Sequence, residues 1–148
     1  YECSCNNNQI SKYQNKISGP LLDRIDMVVN VTRVPTNRLI QKNHNGNSLP
    51  QYRSAIDVIN TAIHNQKNRY QNSYKFNISL SQHDIKYNIN LTDAAKNLLD
   101  MASEKLNLSA RSYFKIVKIS RTIADLDNNS DILPSHISEA LQYRQSIK

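Results

Sequence analysis

Three groups of residues in the chain have types and spacings that could do chemistry. The first is Asp23-Arg24-Ile25-Asp26, set between a Gly-Pro turn and an apolar run in "SGPLLDRIDMVVN". An arginine is permanently charged, and its planar fork matches phosphate oxygens, while flanking carboxylates can hold and aim it. The second is Arg111, at the start of "ARSYFKIVKISRTIADL". At about 100° per residue, Arg111, Lys115, Lys118, Thr122 and Asp125 share one helical face. Arg111 sits in the first turn, beside unpaired N–H groups and the positive dipole end, where an anion would meet both. The same pattern also describes a solvated basic stripe on an amphipathic helix. The third is Cys3-x-Cys5. Two thiols cannot complete a tetrahedral zinc site, and a disulfide at this spacing would be strained. They read either as two reduced thiols at a frayed end or as half of a metal site whose other half lies upstream. One further arginine, Arg121, falls inside the apolar arc near Ala110, Phe114 and Val117. A guanidinium there needs a partner, so it reads as a paired structural residue.

The elements that must position these groups are mainly helical. The chain has 148 residues, two Gly and four Pro, 39% apolar residues and a formal charge of +7. Scarce Gly and Pro favour helix over an all-β sandwich. The charge fits contact with nucleic acid or another polyanion, although it does not form one block. About one residue in seven is Asn, clustered between the periodic segments. No run of 18 or more apolar residues exists, and the first residues lack the basic start and apolar run of a signal peptide. The expectation is a cytoplasmic chain.

Residues 6–17 are weakly helical, and Ser18-Gly19-Pro20 stops them. Pro20 then opens a short helix through Leu21 to Ile25. The β-branched run "MVVNVTRV", 27–34, predicts a strand that ends at Pro35. Polar residues 36–50 read as a linker. A helical period follows over 51–70, then irregular short pieces over 72–90. Thr92 caps "AAKNLLDMASEKLN", Ser109 caps the helix that starts with Arg111, and a last helix begins at Ser135. One strand cannot make a sheet. The strand's partners are therefore expected in sequence outside this chain, as in a piece cut through an α/β domain.

Three stretches, "ISGPLLDRIDMVVNVTRVP" (17–35), "LNLSARSYFKIVKISRTIADLD" (106–127) and "HISEALQYR" (136–144), resemble the C-terminal part of the ComM/YifB proteins. These are magnesium-chelatase-like AAA+ ATPases of bacteria. "HNQKNRY" (64–70) also resembles that family's Gln-x-x-Arg helix end. The resemblance implies a homo-hexameric ring of P-loop ATPases that uses ATP and magnesium, with DNA as partner and branch migration as the activity. It implies that 1–35 are the truncated end of an AAA+ α/β core, 36–50 a linker, and 51–148 a helical lid. Arg24 in "LLDRID" matches the arginine finger of the related MCM proteins, which acts on the neighbouring subunit's nucleotide. Arg111 in "SAR" resembles the sensor-2 arginine, which reaches the γ-phosphate within its own module. Cys3 and Cys5 match the second pair of a four-thiolate zinc site.

The chain contains no G-x-x-x-x-G-K-[ST] and no apolar strand ending in paired acids, so magnesium and the phosphates have no seat of their own in it. By itself it is expected to be a monomer without ATPase turnover and without bound ligand, and Arg24 is expected to be exposed or paired with a local aspartate. Two other readings compete. One is a stand-alone basic helical module that binds nucleic acid or protein. The other is the ATPase subunit of magnesium chelatase proper. A finger motif joined to an orphan strand has no purpose in an independent module. The "SGPLLDRID" wording and the Cys-x-Cys pair favour ComM/YifB over the chelatase subunit.

Overall fold

Helix caps written in the sequence set most of the observed boundaries. In the computed structural model, which describes residues 4–14, 16, 19–22, 24–33, 35–36, 48–72 and 74–144, α1 spans Asn7–Gln14. Asn6 and Gln9 satisfy each other's backbone N–H groups at its start, at 2.9 and 3.0 Å. The short α2 is Gly19–Leu22, and α3 is the long Ser48–Tyr70. Pro50 lies in the first turn of α3, where its missing N–H leaves no intrahelical bond unmade. Ser48 to Pro50, read as the end of a linker, thus already belong to this helix, and 37–47 lie outside the described residues.

A 3-10 turn at Asn77–Ser79 leads into α4, Gln82–Asn88. Ser81 and Asp84 form a reciprocal capping box: the Ser81 hydroxyl accepts from Asp84 N, and Asp84 Oδ2 accepts from Ser81 N. Lys75 Nζ adds a hydrogen bond at 2.9 Å to the other carboxylate oxygen. Thr92 caps α5, Asp93–Lys105, and Ser109 caps α6, Ala110–Leu126, as their sequences predict. The last helix, α7, is Pro134–Gln142 and begins one residue earlier than expected, with Pro134 in the first turn. There the Leu133 N–H donates to His136 Nδ1 at 3.0 Å. That bond puts the ring proton on Nε2, which faces Asp127 at 3.2 Å.

The centre of the fold is α6. It packs against α7, α3 and the 3-10 turn, while α5 packs on α7. The core comprises Leu80, Ile85, Ile89, Ala95, Leu99, Ile116, Val117, Ile123, Ala124, Ile132, Ile137 and Ala140. A lone parallel bridge, Leu91 to Ile132, ties the segments that enter α5 and α7. Only the second half of α3 is buried, at Ala62 and Gln66, with Tyr70 packed against this core; Tyr52, Ile56 and Ile59 on its first half are exposed.

The strand expected over 27–34 does not form among the described residues. Residues 25–33 pair with no other strand, and Val29 and Val31 are exposed. The physical reason is the one the sequence implied: a ladder needs a neighbour, and the described residues offer none. The fold class is otherwise as read, a mainly helical lid. No helix among the described residues is long and apolar enough to cross a membrane.

Asp84 makes one pH dependence predictable. Lys75 and the Ser81 backbone and hydroxyl hold its carboxyl well below the usual carboxylate range. A depressed folded-state value stabilises above the ordinary value of 3.8 and is lost as pH falls through the folded-state value. Thermal melts between about pH 7 and pH 2 should show a decline that Asp84→Asn reduces; identical slopes for the two proteins would rule this cap out as a contributor.

Candidate functional site

Arg24 and Arg111 lie 87 positions apart in the chain, yet both line one groove of about 580 Å³. One wall is the segment after α2, with Arg24 and Asp26. The floor is the outer face of α6, with Arg111, Phe114, Lys115 and Lys118, and the far wall is formed by Ile78, Leu80, Ser81, Gln82 and Ile85. Four cationic side chains meet one carboxylate there among the described residues. Such a groove selects for an anion with several charges rather than for a cation.

The local sequence explains each placement. Ser109 accepts from Ser112 N at 3.1 Å, which starts α6 one residue before Arg111 and leaves Arg111 exposed at its open end. The Tyr113 hydroxyl donates to Asp100 at 2.9 Å and fixes that end of α6 on α5. Burial, and then the hydrogen bond to Asp100 and its charge, push the Tyr113 phenol up to about 12. Lys115 and Lys118, one and two turns on, reach in opposite directions. Lys115 Nζ donates to Ile25 O at 2.8 Å and lies 3.9 Å from Asp26, while Lys118 Nζ donates to Ile78 O at 3.0 Å. The two groove walls are thus each bonded to α6. Arg24 is exposed, with its Nη1 3.5 Å from Pro20 O. Asp23, the other flanking acid, lies outside the described residues.

Behind the groove lies a buried polar cluster that helical-wheel reasoning only half anticipates. Arg121 is completely buried, as a structural arginine should be, and its partner is Asp125, one turn on. Its remaining N–H groups donate to the carbonyls of Ser130, at 2.5 Å, and Asn129. Asp125 was expected on the solvated face. It is instead fully buried, because α3 covers that end of α6 and presents Arg69, whose fork donates to both Asp125 oxygens at 2.5 and 3.0 Å. Asn77 completes the cluster. It donates to Asp125 and Thr122, accepts from the Tyr70 hydroxyl, and its backbone N–H donates to Gln66. Burial alone would lower the Arg69 pKa, but its hydrogen bonds to Asp125 and Tyr70 raise it. Arg121 moves the other way, lowered by burial and by the neighbouring Arg69 charge against the pull of Asp125. Gln66 and Arg69 are the Gln-x-x-Arg pair at the end of α3, so the spacing of that motif places both on the face that meets the 3-10 turn and Asp125. The signal for Asp125 was present: an arginine stranded in an apolar arc has a carboxylate at i+4.

Of the thiol pair only Cys5 is described, and it does not line the groove. Cys5 is exposed, Cys3 lies outside the described residues, and no group of three metal-ligating side chains occurs among the described residues.

Removing Asp125 leaves the buried Arg121 guanidinium, and the partly buried one of Arg69, without their carboxylate. Asp125→Ala should cost about 3–5 kcal/mol in denaturant unfolding; a loss under about 1 kcal/mol would show that the cluster is not a stabilising centre.

Two family models match the chain. One, described as magnesium chelatase, subunit ChlI C-terminal, covers residues 53–144, and another, described as magnesium chelatase, subunit ChlI, covers residues 1–39. Competence protein ComM of Haemophilus influenzae is 34% identical over 140 residues, which is 95% of this chain and 26% of that protein. YifB proteins of Salmonella typhimurium and Escherichia coli are 32% and 27% identical, again over 95% of this chain and 26% of theirs. The chain therefore spans about a quarter of the length of these relatives.

Proposed function

The chain belongs to the magnesium chelatase ChlI C-terminal family, and from that premise we propose that it is the helical lid and adjoining core segment of a ring-forming ATPase acting on DNA in the cytoplasm. In this role it supplies Arg24 and Arg111 to the phosphates of ATP. One observation carries the reading: two arginines from distant parts of the chain line a single groove in which cations outnumber carboxylates. Arg24 is the finger that offsets charge developing on the transferred γ-phosphate. Arg111 adds a second fork at a helix start whose N–H groups also favour an anion. Because both side chains line one groove, one phosphate chain can meet both. The shared groove therefore favours the neighbouring subunit's nucleotide as the target of Arg111 as well as Arg24, in place of a separate target within its own module.

The groove suits ATP's phosphates but not its metal. Asp26 is its only carboxylate among the described residues, and a magnesium ion prefers several oxygen ligands. Magnesium and the phosphate-cradling loop belong to the facing subunit, in a homo-hexameric ring. ATP supplies the phosphoryl group whose transfer drives the motor; this chain's own residues orient and neutralise that group. The DNA assignment rests on the ComM/YifB likeness and on the charge of +7.

In the full-length ATPase, Arg24→Ala should leave nucleotide binding intact and reduce turnover by about 10³-fold or more. Turnover above roughly a tenth of wild type would remove the finger assignment. Arg111→Ala should weaken ATP more than ADP in direct binding measurements, whereas equal weakening of both would make Arg111 structural.

A further inference from the structure

We propose that Lys115 is a positioning residue that straps the Arg24 segment to α6, so that Arg24 and Arg111 are presented as one unit. Residues 25–33 have no strand partner among the described residues, so the backbone on which Arg24 sits needs another anchor. Two bonds from the lid supply it. Lys115 Nζ donates to the carbonyl of Ile25, the residue after Arg24, at 2.8 Å. Three residues further on, Val28 N donates to Tyr143 O at 2.8 Å, just past α7.

Lys115 is suited to the task by place and chemistry. It stands one turn after Arg111 on the same face of α6, so whatever holds Ile25 to Lys115 also fixes Arg24 relative to Arg111. Its side chain is mostly buried, at 15% exposure, which restricts the long stem and favours one reach. The charge-assisted bond to the carbonyl is the main tether. The Asp26 contact, at 3.9 Å on a half-exposed carboxylate, is a weak screened pair that biases the direction of the ammonium. Lys118, bonded to Ile78 O, holds the opposite wall in the same manner, so α6 sets the groove width from both sides.

The strap is a structural statement about this chain; its importance for catalysis rests on the nucleotide reading above. Amide exchange measured by NMR on the 148-residue chain reads the strap directly. Lys115→Met should speed exchange at the Val28 amide at least about fivefold, while the buried Leu99 and Val117 amides keep their protection. Lys115→Arg, which keeps a donor cation within reach of Ile25 O, should restore Val28 protection. Unchanged Val28 exchange in Lys115→Met overturns the proposal, as does an equal loss at Leu99, which would mean general destabilisation. In the full-length ATPase, Lys115→Met should lower kcat with little change in KM, and Lys115→Arg should recover it; a rise in KM alone would make Lys115 a substrate contact and overturn the positioning role. The two readings fail separately. Full turnover in Arg24→Ala removes the finger and leaves the exchange result standing, whereas normal exchange in Lys115→Met with an inactive Arg24→Ala removes the strap and keeps the finger.

Discussion

Asp125 is a buried carboxylate shared by two guanidiniums, and the arrangement of this lid depends on it. The cost of burying a charge is offset only when its lone pairs are filled. Here Arg69 arrives from α3, Arg121 from the preceding turn of α6, and Asn77 from the 3-10 turn. One side chain therefore fixes three elements against each other. Non-directional apolar contacts at Val117, Ile123 and Ala124 would tolerate small rotations of α6. The forked bonds to Asp125 do not, because each donor has a set direction. The rotation of α6 decides which of its residues face the groove.

From that constraint the groove follows. With one face of α6 committed to α7 and the core, and its C-terminal end clamped by α3, the stripe of Arg111, Lys115 and Lys118 is left facing outward. Asn77, held by Gln66, Tyr70, Thr122 and Asp125, places Ile78 where Lys118 can reach its carbonyl. The polar cluster is thus coupled to the far wall through one residue step. The near wall is held differently, by Lys115 and by the Val28 bond to Tyr143. The groove has one wall joined to the buried cluster and one wall strapped on from outside it.

Under the proposed function this difference has a use. A finger needs to approach and withdraw from a phosphate as subunits move, whereas a lid must keep its own shape. Exposed Val29 and Val31 and the exposed first half of α3 lie on the same side of this division, outside the core.

Much of this was legible in the sequence. Thr92 and Ser109 announced helix starts, since a side-chain oxygen at that position fills an otherwise orphaned N–H; the Ser81 cap, in a stretch read as irregular, did not. The finger-like Arg24 and helix-start Arg111 were both visible as motifs, and Arg121 declared its need for a partner by lying in an apolar arc. The reading of Asp125 failed because a helical wheel knows only one helix: it registers a carboxylate as polar and cannot register that Arg69, 56 residues away, will cover it. The strand over 27–34 failed for a related reason, since β-branched residues state a preference that only a neighbouring strand can realise. Local chemistry, written in short spacings, was determined by the chain itself. The meeting of Arg24 with Arg111, and of Arg69 with Asp125, was decided only by tertiary packing, because both pairs join residues whose separation in sequence carries no information about their distance in space.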